Sequence, residues 1–358
     1  MASVSAQRVV FFGADRTPRF MTENTHINLG NLGPEEILIK IKLTTICRYD
    51  LQILQGRSKA KTPSVLGHEA VGEVVKVGSS LDDEAIKPGD RVSFSLYDSC
   101  FKCKFCQSGF HQKCISGFMY GQGTLSSHQG FSGCFASHVI VKRGTKLVKL
   151  PDNVSDKMAA PLNCAIATMA HATSMLPTED AKNKTVLIQG AGLFGIYGCA
   201  MLHQAGYSKV YCTDYIAERL KLVNCFGGIP LDLRVKGNYP DDDSIDIVIE
   251  VCGNPAVIPE GVRVLKPGGV YMFVGLVNHN TSLNITVGQL IDKCLTVTGV
   301  DSYSPEHLEA GVDFIAKYSN KYPFENLVGP IFKLSNFDKA VKEAGNQRFL
   351  RVALEADC

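Results

Sequence analysis

Thr185-Val-Leu-Ile-Gln-Gly-Ala-Gly-Leu-Phe-Gly195 is the stretch that decides the fold class of this chain. An apolar run typical of a buried strand leads directly into the pattern G-x-G-x-x-G, and a helix-like stretch comes next. In that context Gly190 allows a tight turn, Gly192 lets the backbone approach a pyrophosphate, and Gly195 lets the helix pack on the sheet. The helix N-terminus offers free N–H groups to the phosphates. The stretch predicts a dinucleotide-binding turn; a glycine-rich turn without a ligand is the alternative.

Strand-like and helix-like stretches alternate downstream of this turn. Strands are predicted at 209–213, 245–250 and 270–274, with a helix at 217–223 after the first of them. Such alternation is typical of βαβ units in a parallel sheet. We therefore predict an α/β Rossmann domain with a doubly wound parallel sheet.

Asp214 comes directly after the strand predicted at 209–213. A carboxylate there can accept hydrogen bonds from the ribose hydroxyls and repels a 2′-phosphate, which favours NAD over NADP. Arg219 lies five residues further on and could weaken that preference, and the alternative role for Asp214 is a helix N-cap. Further cofactor contacts are predicted for Leu193, Phe194, Cys252 and Val274.

The remainder of the chain is β-rich. The stretch 36–43 alternates polar and apolar residues as a half-buried strand does, and Gly and Pro punctuate the residues after it. With 358 residues the chain exceeds the roughly 250–300 that one core usually supports. We predict a β-rich catalytic domain formed by 1–163 and 302–358, and a Rossmann domain at 164–301.

Composition excludes several classes of protein. The net charge of +2 gives no electrostatic case for nucleic acid or an anionic membrane as a partner. No apolar run reaches the roughly 18–20 residues of a membrane span, and the first residues lack the pattern of a secretory signal, so a cytoplasmic location is expected. The odd count of 13 cysteines argues against a disulfide framework.

Four of the cysteines form the most specific pattern in the sequence: Cys100, Cys103, Cys106 and Cys114. Four thiolates at this spacing can surround one tetrahedral Zn²⁺ and leave no open position, so the predicted site is structural. Nearby lysines would offset its negative charge. An iron–sulfur cluster and free thiols are the alternatives.

A second set of candidate metal ligands is scattered. Cys47, His68 and Cys164 could form a Cys₂His zinc site with a fourth position open to water or substrate. Asp50 is then the expected partner for the second imidazole nitrogen of His68.

These residues carry a resemblance to the zinc-containing medium-chain alcohol dehydrogenases over nearly the whole chain. The matching motifs are the four-cysteine loop, the turn 190–195, Gly67-His-Glu-Ala-Val-Gly-Glu73, Lys87-Pro-Gly-Asp-Arg-Val92 and Leu265-Lys-Pro-Gly-Gly269. In detail the chain is similar to the alcohol dehydrogenases associated with phosphonate catabolism, through Ser64-Val-Leu-Gly-His-Glu-Ala-Val-Gly-Glu-Val74, Gln112-Lys-Cys114 and Ala159-Ala-Pro-Leu-Asn-Cys-Ala-Ile-Ala-Thr168.

The resemblance implies a GroES-like catalytic domain and an active site in the cleft beside the Rossmann domain. It implies that Cys47, His68 and Cys164 hold a catalytic zinc, with Glu69 beside the metal. Thr168 would pack near the nicotinamide and Arg48 would reach the pyrophosphate. Two zinc ions per chain, NAD, hydride transfer to or from an alcohol, and a homodimer or homotetramer are the implied cofactors, reaction and assembly.

The sequence departs from the family at the proton relay. Tyr49 stands where a Ser or Thr hydroxyl usually passes on the alcohol proton, and Gln52 stands where a His often occurs. Either Tyr49 carries the proton, or water does, or the activity is slow or altered; the alternative role for Tyr49 is to fill the pocket, and its ring should narrow the site. Arg57, Lys59 and Lys61 lie between the two motifs, either as a basic patch for an anionic substrate or as a solvated loop.

Three functions are compatible with parts of this pattern. An NAD-dependent zinc alcohol dehydrogenase acting on a small, polar alcohol is favoured, because no zinc ligand is missing. A non-enzymatic NAD-binding zinc protein of the same fold is supported only by Tyr49 and Gln52. A zinc-ribbon protein that binds nucleic acid is disfavoured by the near-neutral charge.

Overall fold

The chain folds into two compact units. The computed structural model describes residues 2–81, 86–275 and 282–357. The first unit comprises Met1–Cys164, Ser304–Ser319 and Phe324–Cys358, and the second comprises Ala165–Tyr303 and Asn320–Pro323. The two predicted domain boundaries, after residue 163 and after residue 301, lie one and two residues before the boundaries of these units. Cys164 therefore belongs with the first unit rather than the second. The short segment Asn320–Pro323 was not foreseen as part of the second unit.

The second unit is built on a six-stranded sheet that is parallel throughout. In spatial order its strands are Ile229–Asp232, Lys209–Asp214, Thr185–Gln189, Ile245–Glu250, Leu265–Phe273 and Thr296–Gly299. Its α-helices are Ala167–Ser174, Leu193–Gln204, Ala217–Cys225, Ile258–Val264 and Val287–Asp292. Numbered along the chain the strand order is 3-2-1-4-5-6, which confirms the predicted doubly wound Rossmann sheet.

This strand order places the glycine-rich turn at a topological switch point. The order reverses beside Thr185–Gln189, and ligands of open α/β sheets bind at the carboxyl ends of strands at such a point. The turn comes immediately after that strand, and Asp214 ends the neighbouring one. The strand Ile229–Asp232 was missed in the sequence, because it is short, contains a proline and lies at the sheet edge, where proline is tolerated.

The first unit is mainly antiparallel. Its strands are Ser3–Phe11, Phe20–Asn28, Glu36–Thr45, Ser64–Val65, Glu69–Val77, Arg91–Asp98, Phe118–Met119, His138–Lys142, Thr145–Lys149, Val328–Lys333 and Arg351–Glu355. Its α-helices are Arg48–Leu54, Lys104–Gln107, Asp156–Ala159, Pro305–Tyr318 and Phe337–Gly345. No helix among the described residues has the length and apolar character that crossing a membrane requires.

Three neighbouring strands of this unit bring distant parts of the chain together. Arg351–Glu355 pairs with Glu36–Thr45, which pairs in turn with Glu69–Val77. The register sets Ala353 opposite Thr45 and Thr45 opposite Glu69. The C-terminal strand therefore lies two strands away from the segment that begins just after His68.

Close packing explains the glycines of the dinucleotide turn. Gly190 has φ +113°, and a Cβ on it would lie 2.7 Å from Cβ of Cys252. A Cβ on Gly195 would overlap the carbonyl oxygen of Gly190. A Cβ on Gly192 would meet no atom within 4 Å. Two of the glycines are thus required by the fold, whereas Gly192 leaves open space above the turn.

We predict that Gly195→Ala destabilises the protein, by about 1–3 kcal/mol, because the added methyl group forces the helix away from the strand. Gly192→Ala is the matched control and should leave the melting temperature unchanged or slightly raised. Thermal unfolding of both variants beside the parent tests this. Equal melting temperatures for Gly195→Ala and the parent would contradict the packing argument.

Candidate metal centres and cofactor turn

One buried cluster in the first unit gathers four metal-binding side chains. The ligand atoms of Cys47, His68, Glu69 and Cys164 all lie within 4.8 Å of one another. All four residues are buried, with at most 7% of their surface exposed. The sequence had already grouped Cys47, His68 and Cys164 as a possible Cys₂His site, and Glu69 was added through the family resemblance.

Helix Arg48–Leu54 fixes the first ligand. Cys47 is its N-cap residue, and Asp50 Oδ2 accepts a hydrogen bond from the Cys47 backbone N–H at 2.9 Å. The other carboxylate oxygen, Asp50 Oδ1, lies 3.3 Å from His68 Nδ1. A single carboxylate therefore orients two of the ligand residues, and it leaves Nε2 of His68 as the nitrogen for a metal ion.

The charge of Asp50 also governs the protonation of His68. Burial alone would lower the pKa of this imidazole, but the negative charge and hydrogen bond of Asp50 raise its pKa well above the usual value. The same attraction would increase the electron density that a neutral imidazole offers to a metal ion.

A π-helical turn, Leu162–Ile166, carries Cys164. Such turns are rare in proteins, and those that occur often lie at functional sites. The adjacent Asn163 is buried, and its amide donates to the carbonyl oxygens of His68 at 2.9 Å and Phe94 at 3.0 Å. Asn163 thus ties the turn to the backbone of the histidine ligand, a role that sequence reasoning missed.

Arg351 is the second residue of the site that sequence reasoning missed. Its Nε and Nη2 donate to the two carboxylate oxygens of Glu69, each at 2.7 Å, and Nη2 lies 3.6 Å from Sγ of Cys47. Burial would raise the pKa of Glu69, but the charge and hydrogen bonds of Arg351, together with His68 and Thr45, outweigh burial and lower this pKa. The available signal was an arginine opening an otherwise apolar strand.

The two thiols of the cluster differ in acidity. A hydrogen bond from Cys164 lowers the pKa of Cys47 to about 6, against the effect of burial. The same hydrogen bond and burial raise the pKa of Cys164 well above its usual value. Two cysteines and one histidine form a donor set that fits a catalytic zinc ion, while Glu69 is already held by Arg351.

The remaining residues predicted for this site lie on separate elements, one in each of the two units. The Tyr49 ring is partly buried and lies edge-on to the His68 ring, with centroids 6.2 Å apart. Gln52 is buried and accepts from Ser58 Oγ at 3.4 Å, and Arg48 is exposed and donates to Gln347 Oε1 at 3.1 Å. Thr168 is buried on helix Ala167–Ser174 of the second unit.

The four-cysteine loop forms a second cluster. Its four Sγ atoms lie within 4.8 Å of one another, with Cys103 Sγ 3.6 Å from Cys106 Sγ and 4.0 Å from Cys114 Sγ. Zn–S bonds of about 2.3 Å in a regular tetrahedron require sulfur atoms about 3.8 Å apart. Backbone N–H groups of Lys102 and Cys103 lower the pKa of Cys100 to about 6. Burial and the neighbouring cysteines raise the pKa of Cys106 to about 12, so the four thiols differ in acidity and the fit to a tetrahedral zinc ion rests on the spacing of the sulfur atoms.

In the second unit, Asp214 binds the glycine-rich turn. Its Oδ2 accepts from the Ala191 N–H at 3.0 Å, and its Oδ1 accepts from the N–H groups of Tyr215 and Ile216 at 2.7 and 2.9 Å. Arg219 Nη1 lies 3.7 Å from Oδ2. The carboxylate therefore has the helix-capping role as well as a position beside the turn, and Arg219 offsets part of its charge.

The other predicted cofactor residues line the carboxyl ends of the same sheet. Leu193 and Phe194 open helix Leu193–Gln204. Cys252 packs against Gly190, and Val274 donates its N–H to the carbonyl oxygen of Glu250 at 2.9 Å. These four residues all lie at the edge where a dinucleotide would bind.

Comparison with known protein families agrees with both units. Residues 33–152 match the family described as "Alcohol dehydrogenase GroES-like domain", and residues 158–355 match "Glucose dehydrogenase C-terminus". The second match alone spans more than half of the chain. The predicted GroES-like and Rossmann fold classes are thereby confirmed.

Individual relatives are similar over most of their length. L-threonine 3-dehydrogenase of Legionella pneumophila is 28% identical over 320 residues, 86% of this chain and 88% of that protein. The enzyme of the same name from Pyrococcus furiosus is 29% identical over 297 residues, 79% of this chain and 80% of that protein.

Solved structures share the fold. An alcohol dehydrogenase from Thermotoga maritima superposes with a TM-score of 0.88 at 23% identity, covering 99% of this chain and 100% of that one. A zinc-binding dehydrogenase from Sinorhizobium meliloti bound to NADP gives 0.84 at 21% identity, covering 98% and 99%. The finer likeness to enzymes of phosphonate catabolism stays a prediction.

We predict that Arg351→Met lowers the free energy of unfolding by about 3–5 kcal/mol, because it leaves the Glu69 carboxylate buried without its cation. Arg143→Met is the matched control: it removes an exposed pair with Glu35 and should cost less than about 1 kcal/mol. Urea denaturation of the zinc-loaded proteins measures both. Adding Glu69→Gln to Arg351→Met should recover part of the lost free energy of unfolding. Equal losses for Arg351→Met and Arg143→Met would contradict the argument.

Proposed function

The chain belongs to the zinc-containing medium-chain alcohol dehydrogenase family, and from this we propose that it transfers a hydride between NAD(H) and a small, polar alcohol or its carbonyl product. Membership makes it a zinc-dependent oxidoreductase that acts on alcohols with a nicotinamide cofactor. The choice of NAD, the class of alcohol, the two zinc ions, the cytoplasmic location and the dimeric or tetrameric assembly are the finer parts of the proposal.

The observation that carries the proposal is the buried Cys47, His68 and Cys164 cluster. These three residues would hold the catalytic zinc, which when bound supplies a Lewis acid that makes an alcohol hydroxyl more acidic. Asp50 orients His68, and Arg351 holds Glu69 and contacts Cys47, so the donor atoms are fixed by their surroundings. Ligands held in this way are oriented before a metal ion binds.

Residues of the second unit support a dinucleotide as the cofactor. The open space above Gly192 allows a phosphate to approach the backbone, and the N-terminus of helix Leu193–Gln204 offers N–H groups to it. Asp214 supports NAD, since a 2′-phosphate would meet its carboxylate. Tyr49 supports small substrates, because its ring partly fills the space beside His68.

We expect elemental analysis to find about two zinc ions per chain, one for each cysteine cluster. Cys47→Ser should lower the content to about one and abolish turnover. Cys225→Ser is the matched control, because that cysteine is exposed and belongs to neither cluster. A content of one zinc in the unmutated protein would overturn the two-site proposal.

The function is tested by a screen of small polar alcohols, L-threonine among them, monitored by the appearance of NADH. We expect turnover with NAD⁺ to exceed that with NADP⁺ by at least about tenfold, and Asp214→Gly to narrow this ratio. A preference for NADP⁺ would refute the role given to Asp214. Tight NADH binding without turnover of any alcohol would favour the non-enzymatic alternative.

A further inference from the structure

A cavity of about 360 Å³ lies in the first unit between a loop and the segment that contains the strand Phe118–Met119. We call it the lysine pocket. One wall consists of Lys59, Ala60 and Lys61, and the opposite wall includes Phe118, Met119 and Gln122. The volume suits a small molecule, since ligand pockets usually measure about 300–1,000 Å³.

Positive charge in this pocket is uncompensated. Both lysines are exposed, and no acidic side chain is among the residues that line the cavity. Within residues 2–81, 86–275 and 282–357, neither ammonium forms an ion pair, whereas Lys42, Lys146 and Lys149 of the same unit do. Two ammonium groups two residues apart repel each other, and a bound anion would relieve that repulsion.

The opposite wall offers an apolar surface and one amide. The Phe118 ring is only partly buried and is held edge-on by the rings of Tyr120 and His128, at centroid distances of 5.5 and 5.2 Å. Met119 is also partly buried, and the Gln122 amide can donate or accept a hydrogen bond. The pocket therefore combines two cations with a rigid surface for a short carbon chain.

Both walls are joined to chain segments that carry a metal ligand. The lysine wall comes after helix Arg48–Leu54, which starts at Cys47, and it is tied back to that helix by N–H groups of Arg57 and Ser58 that donate to the Gln52 carbonyl oxygen. On the other wall, Gly121 has φ +80°, and a Cβ on it would lie 2.6 Å from the carbonyl oxygen of Gly67. Gly67 directly precedes His68, so the pocket adjoins the segments that carry two metal ligands.

We propose that Lys59 and Lys61 bind the anionic group of the substrate, so that the substrates are small hydroxy compounds bearing a carboxylate or a phosphate-type group. This assignment rests on the proposed dehydrogenase function and names the substrate class of that site. The ammonium groups form charge-assisted hydrogen bonds with the anion. Phe118 and Met119 contact the carbon chain, and the hydroxyl end of the molecule extends toward the metal cluster.

Kinetics with matched substrates tests the assignment. 3-Hydroxybutyrate is compared with 1,3-butanediol, and glycerol 3-phosphate with glycerol, so that each pair keeps its hydroxyl and differs in charge. We expect the anionic member of at least one pair to have the higher kcat/KM. Lys59→Gln/Lys61→Gln should lower the anionic-to-neutral ratio about tenfold, mainly through KM, which corresponds to the loss of one charge-assisted contact. A higher kcat/KM for 3-hydroxybutyrate than for 1,3-butanediol would indicate a carboxylate site, and a higher value for glycerol 3-phosphate than for glycerol would indicate a phosphate site.

Two control variants make this comparison specific. Lys339→Gln/Lys342→Gln removes the same charge from helix Phe337–Gly345, none of whose residues lines the pocket, and should leave the ratio unchanged. Lys59→Arg/Lys61→Arg keeps the charge and should retain the preference. The assignment would be overturned if the anionic-to-neutral ratio of kcat/KM stayed unchanged in Lys59→Gln/Lys61→Gln. It would also be overturned if that ratio fell equally in Lys59→Gln/Lys61→Gln and Lys339→Gln/Lys342→Gln.

Direct binding separates a failure of the pocket from a failure of the dehydrogenase function. If no compound is oxidised, the proposed function fails, and calorimetry of the zinc-loaded protein with 3-hydroxybutyrate and with inorganic phosphate still tests the pocket. Binding that weakens about tenfold in Lys59→Gln/Lys61→Gln supports an anion site. No binding to the unmutated protein, or equal binding to the variant, overturns it.

Discussion

The buried pair of Glu69 and Arg351 is the interaction on which the first unit depends. It joins residues 282 positions apart, and both charges are almost completely removed from water. Desolvating each ion costs several kcal/mol, and only good geometry and additional hydrogen bonds offset that cost. Both are present: the guanidinium donates twice to the carboxylate, and Thr45 Oγ1 donates to Oε2 at 2.5 Å. The pair thus fixes three neighbouring strands at the edge of the metal cluster.

The same pair sets the electrostatic balance of the metal cluster. With Glu69 neutralised by Arg351, two thiolates and a histidine remain to meet a divalent cation, so the ion and its direct ligands would together be close to neutral. Asp50 and Asn163 complete the arrangement. Asp50 accepts from the backbone of Cys47 and contacts the ring of His68, and Asn163 donates to the backbone of His68. An exposed site with the same ligands would have neither the fixed geometry nor the low dielectric that strengthens these contacts.

In the second unit the dominant constraint is steric. The carbonyl oxygen of Gly190 occupies the volume that a side chain at position 195 would need, and Cys252 occupies the volume beside Gly190. Asp214 is satisfied by three backbone N–H groups of this region, so its carboxylate stabilises the turn whether or not a cofactor binds. Its structural role and its role in cofactor selection are therefore compatible. Arg219 lies 3.7 Å from the same carboxylate and offsets part of its charge, which bears on the proposed preference for NAD.

The sequence by itself determined the features whose cause is local. A strand that runs into G-x-G-x-x-G specifies the parallel sheet and its turn, because the steric demands of those glycines act within a few residues. Cysteine spacing specified the four-thiol cluster for the same reason. Only the tertiary structure decided the rest. Arg351, Asn163 and the two walls of the lysine pocket act on partners that are far away in the chain, and a charge or an amide becomes significant only when folding buries it or leaves it without a counter-ion. A contact between distant residues depends on strand register and on burial, and the local pattern of residues determines neither.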